Sequence, residues 1–125
     1  MKNDIISEAD IKTLIDSFYL KVREDDVLGY IFNDIAHVNW EHHLPKMYAF
    51  WGFLLLGSDT YRGNPMEPHQ RLHQKIKLNK DHFNRWVKLF TETVDEHFMG
   101  INAEEAKNKA KLIAMTWIPK FAEME

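Results

Sequence analysis

The stretch Asn64-Pro65-Met66-Glu67-Pro68-His69-Gln70-Arg71-Leu72-His73 has the residue types and spacing best suited to chemistry. Pro65 and Pro68 each fix their own φ near about −65° and bias the preceding residue away from helix, so His69 is presented by a stiff backbone. A short helix starts here either with Asn64 as cap and Pro65 first, or from Glu67 with Pro68 first; both place His69 in its first turns, between Met66 and Leu72. A neutral imidazole held against an apolar wall suits an axial ligand of a porphyrin iron. It equally suits a partly buried histidine capping a loop. His73, one helical turn on, would share a face with His69 and is a rival ligand. With His42 and His43 the two could also hold a non-haem metal, although no carboxylate stands at Glu-x-x-His spacing to complete such a set.

Composition narrows the classes. With no cysteine among 125 residues, disulfides, thiolate catalysis and Cys-rich metal centres are excluded. A net charge of −3 without a long basic run gives no phosphate-binding surface, so no nucleic-acid partner is expected. No stretch reaches the roughly 18 apolar residues of a membrane span, and Met-Lys-Asn-Asp does not read as a signal peptide, so a cytoplasmic protein without a membrane partner is expected. One domain over 1–125 is the expectation for this length. The aromatic load is high for so small a chain, with eight Phe, four Trp and four Tyr to be placed in one core.

The elements that must position these groups are helical. Ser7 reads as an N-cap, and Ile11, Leu14, Ile15, Phe18 and Val22 follow helical spacing, which predicts a helix over 8–24 with Tyr19 at the edge of its stripe. By itself, Tyr19 reads as an interface tyrosine with its hydroxyl in water. Leu44, Met47, Trp51, Leu54 and Leu55 predict a second helix from about 42 to 56, with Phe50 and Phe53 widening its face. Pro45 then places His43 at or just before the helix start. Gly52 in mid-helix implies close packing. Asn79 reads as the cap of a helix with Phe83, Trp86, Val87, Phe90, Val94 and Phe98 as its stripe. Asn102 caps a last one carrying Ala106, Ala110, Ile113, Ala114, Trp117 and Phe121, with Pro119 loosening its final turns. No strand pattern emerges, so the fold class is all-α, with two long helices before His69 and two after it.

In order and spacing, this chain resembles the truncated haemoglobins of the third group, from about Ile11 to Ala114. The resemblance is carried by Phe18-Tyr19, Phe32, Trp40-x-x-His43, Phe50-Trp51, Tyr61-x-Gly-Asn-Pro-Met-x-x-His69, His82-Phe83-x-Arg85-Trp86 and Thr93-Val94-Asp95. The absence of Gly-Gly pairs in the turns agrees with it. The resemblance implies a two-over-two helical sandwich around haem b, with His69 as iron ligand and Tyr19, His43 and Trp86 on the distal side beside Phe18. Phe32 matches the ring that packs on the haem face. Met47, Trp51, Met66, Leu72 and Phe90 would complete an apolar, polarisable wall. It also implies reversible binding of O2, CO or NO at a five-coordinate iron, with NO or peroxide chemistry and an unknown reductase as further expectations, in a monomer or weak dimer. The rival to all of this is a helical interaction module whose aromatics are plain core.

Overall fold

The computed structural model describes residues 2–31, 40–57 and 80–123, with side chains through residue 116. Four helices are found among the described residues: α1 (Glu8–Glu24), α2 (Trp40–Leu56), α3 (Lys80–His97) and α4 (Ile101–Glu123). α1 packs on α2 and α3, and α4 packs on α3 and more lightly on α2, which makes two helix pairs laid across one another.

α1 follows the expected bounds. Ser7 Oγ accepts the Asp10 N–H at 3.2 Å, Glu8 and Asp10 complement the positive end of the helix, and Lys21 and Arg23 sit at the other. Ile11, Leu14, Ile15, Phe18 and Val22 are all fully buried. The helix stops because Asp25 leaves helical geometry and its carboxylate takes the N–H groups of Val27 and Leu28 at 3.1 and 2.9 Å. Leu28 and Ile31 then tuck under α1, and a Cβ on Gly29 would stand 2.6 Å from the Arg23 carbonyl, so only glycine allows the chain to double back this tightly.

α2 begins at Trp40, earlier than the periodicity predicts, so His43 lies inside the helix rather than at its start. The reason is tertiary. The Trp40 ring rests 5.4 Å from that of Tyr19 and under the Arg23 guanidinium at 5.2 Å, which anchors the extra residues. Pro45 is then interior and forgoes one helical hydrogen bond at an exposed position, where water can take the freed carbonyl.

α4 departs from the expected cap at Asn102. Its first N–H groups are taken by Asp4, far away in sequence, whose carboxylate accepts from Asn102 at 2.9 Å and Ala103 at 2.8 Å. An N-terminal strap makes this possible: Asn3 bridges Phe98 and accepts the Met99 N–H at 3.0 Å. A Cβ on Gly100, at φ 144°, would meet the Asp4 side chain at 2.5 Å, so glycine is required twice over. The helix continues through Pro119 to Glu123. Among the described helices none is long and apolar enough to cross a membrane.

Candidate functional site

Tyr19 is the centre of the site. It directly follows Phe18 and packs against Trp40 and His43 of α2, and it is only 5% exposed, so its hydroxyl is not the water-facing group that its stripe-edge position suggests. Burial alone raises its phenol above the ordinary value, with no charged or hydrogen-bonding group contributing. At any physiological pH this phenol stays protonated and keeps its O–H to donate. Three rings surround it: Phe18 at 4.8 Å, His43 edge-on at 5.3 Å and Trp40 at 5.4 Å.

From Phe18 the aromatic contacts run on into α3 and α2. Phe18 meets the edge of Trp86 at 5.7 Å and of Phe90 at 5.1 Å. Phe90 stacks on Trp86 at 5.8 Å and on Trp51 at 4.6 Å, and Trp51 meets Phe50 at 5.6 Å. Each such pair adds about 0.5–1.5 kcal/mol beyond its buried area, so the assembly is stiff as well as apolar. The structure thus brings together Phe18, Tyr19, His43, Trp51, Trp86 and Phe90 from three helices, and Met47 packs half-buried against the same core. Phe32, Met66, His69, Leu72 and the rival ligand His73 lie outside the described residues. His42 is exposed, and among the described residues no group of three His, Asp or Glu is arranged to hold a metal ion.

One member was underrated by its sequence pattern. Trp40 touches both Tyr19 and His43, the latter at 5.6 Å, and closes that end of the ring assembly. Its signal was the spacing Trp40-x-x-His43, one helical turn, which puts both rings on one face.

The fold and site together define a small helical protein of the globin class. The sequence model of the bacterial-like globin family matches residues 3–118, and the chain belongs to that family of haem-binding proteins, among its truncated haemoglobins of the third group. It is 35% identical over 121 residues to the group 3 truncated haemoglobin of Campylobacter jejuni, covering 91% of this chain and 90% of that one. The crystal structure of the group III truncated haemoglobin from Campylobacter jejuni superposes with a TM-score of 0.83 at 31% identity, over 97% of this chain and 95% of that one.

The residues present fit a haem. α2 is the most apolar of the four helices, yet only Trp51 and Gly52 on it are buried; Leu44, Met47, Phe50, Leu54 and Leu55 are half-covered. An apolar helix face so incompletely covered by protein suits a flat apolar group. The buried phenol of Tyr19 stands beside it.

Proposed function

We propose that this protein reversibly binds small diatomic ligands, O2 first, at a haem b iron held by His69. The observation that carries the reading is Tyr19, a phenol kept protonated by burial and enclosed by Phe18, Trp40 and His43. When bound, haem b would supply an iron able to take a diatomic ligand and exchange electrons. The chain does the rest. The Tyr19 hydroxyl and the Trp86 indole N–H donate hydrogen bonds toward a ligand that carries partial negative charge, in a pocket where water does not compete. Phe32, Met47, Met66 and Leu72 would pack on the haem, and Phe18, Trp51 and Phe90, buried behind them, keep the pocket dry. His43, on the first turns of α2 beside Tyr19, acts as a movable gate rather than an iron ligand. Two or three donors around one ligand slow its escape, which suits sensing or NO and peroxide chemistry, served by a reductase, better than oxygen supply. A cytoplasmic monomer or weak dimer completes the reading.

The test is a visible spectrum followed by two variants. The purified protein should show an intense Soret band and a five-coordinate ferrous form. His69→Gly should lose haem affinity and regain the five-coordinate spectrum with added imidazole, while His73→Gly behaves as wild type. A colourless protein that hemin does not stabilise would sink the reading, and the reverse behaviour of the two variants would move the iron ligand to His73.

A further inference from the structure

One polar contact between the end of α1 and α3 falls next to Trp86 in the chain. Asp25 ends α1, and its Oδ2 collects three donors: the N–H of Val27 at 3.1 Å, the N–H of Leu28 at 2.9 Å and Nε of Arg85 at 2.6 Å. The carboxylate is well covered, at 8% side-chain exposure, while Arg85 is 44% exposed. The turn that presents Asp25 is itself rigid, since Gly29 lies against the last carbonyls of α1. Arg85 directly precedes Trp86, whose ring sits against Phe18 and Phe90. Phe18 in turn directly precedes Tyr19.

We infer that Asp25 and Arg85 form a positioning pair that fixes the rotation of α3 against the end of α1, and with it the placement of Trp86 relative to Tyr19. The inference rests on the reading of Tyr19 and Trp86 as ligand-facing donors. Edge-on packing of Phe18 against Phe90 and Trp86 sets how closely α1 and α3 approach, but it brings no hydrogen bond to the end of α1. A hydrogen bond from Nε to a carboxylate already fixed by two backbone N–H groups is directional, and it resists that rotation. Exposed ion pairs generally contribute little to stability. The pair therefore acts on geometry: a donor displaced by a fraction of an ångström changes the field at the ligand without unfolding anything. A second tie between these helices, Lys21 with Glu96, joins α3 ten residues beyond Trp86, roughly 15 Å along the helix, and is too remote to orient it.

The test uses the haem-loaded protein, reading the infrared C–O stretch of bound carbon monoxide as a reporter of the donor field, beside the O2 dissociation rate. Arg85→Ala and Asp25→Asn should broaden or split the C–O band and move it toward its position in Trp86→Phe, with a dissociation rate between wild type and that variant. Arg85→Lys should recover part of the single band, because it restores charge without the planar Nε–H. Lys21→Ala, which cuts the remote tie, should match wild type. If Tyr19→Phe and Trp86→Phe move the band but Arg85→Ala does not, the inference falls while the pocket reading stands. If Lys21→Ala moves it as far as Arg85→Ala, general loosening explains the effect and the inference falls as well. If neither donor variant moves the band, the pocket reading fails first and carries the inference with it. Should Asp25→Asn not fold, the two Arg85 variants, at an exposed side chain, decide.

Discussion

α1 and α2 have the same length, 17 residues, and they solve opposite problems. α1 is amphipathic and spends its apolar stripe on the protein's own core, where Ile11, Leu14, Ile15, Phe18 and Val22 are buried almost completely. α2 is apolar almost all round and buries little of it: Phe53 is 52% exposed, and most of its inner face is only half-covered. A helix with so much apolar surface is normally buried on every side. α1 thus belongs to a core closed by protein, whereas α2 keeps an apolar face only half-covered, as the proposed haem would require.

The largest expected effect follows from that difference. Removing haem should cost the folded state on the order of 4 kcal/mol when haem is present at about a thousand times its Kd, read as a drop in the thermal midpoint. Amide exchange should accelerate mainly over 40–57 and hardly over 8–24. Equal acceleration in both helices would break the contrast.

Truncation in each helix comes next. Phe18→Ala should cost about 3–5 kcal/mol in denaturant titrations of apo- and holo-protein alike, since its site is closed by the chain. Met47→Ala, already half-exposed, should cost under about 2 kcal/mol in the apo form but should speed haem loss to an acceptor protein. A Met47→Ala cost equal to that of Phe18→Ala in the apo form would show that α2 is ordinary core.

Tyr19 sharpens the comparison, because it belongs to α1 by sequence and to the pocket by position. Tyr19→Phe should change apo stability by less than about 1.5 kcal/mol, since it removes only a hydroxyl and keeps the packed ring. The same variant, and Trp86→Phe, should raise the O2 dissociation rate roughly five- to thirty-fold, the equivalent of about 1–2 kcal/mol for a lost hydrogen bond. His43→Ala should change the CO association rate while the unliganded ferrous iron stays five-coordinate. A bis-histidine spectrum in the wild type that vanishes in His43→Ala would overturn the gate.

The smallest effect is expected with acid. Asp25 lies below the ordinary carboxylate range because it accepts from Arg85, with Leu28 and Val27 N–H adding to this against the opposing pull of burial. For Asp4, burial pulls upward, but the N–H groups of Asn102, Ile5, Ala103 and Ile101 together outweigh it. Both groups are held lower in the folded chain than in the unfolded one. Their stabilisation is therefore present above the ordinary carboxylate value, near 3.8, and is lost as pH falls through the lowered folded values. Asp4→Asn and Asp25→Asn should each flatten the acid limb of a stability–pH curve, and Asp4→Asn should loosen the start of α4 while leaving the pocket spectrum alone.

Helical periodicity and Ser7 as a cap were enough to place four helices and the α1 stripe, because these depend on spacing within ten or twenty residues. Chain spacing could not show that Asp4 rather than Asn102 caps α4, since the partners are 98 and 99 residues apart. Nor could it start α2 at Trp40, which Arg23 and Tyr19 hold from another helix. The Tyr19 hydroxyl shows the limit most plainly: at the edge of a stripe it could face water or core, and local sequence is the same in both cases. Only the rings of Trp40 and His43, brought across from α2, decided that it is buried, because burial is set by what packs over a side chain and not by the helix that carries it.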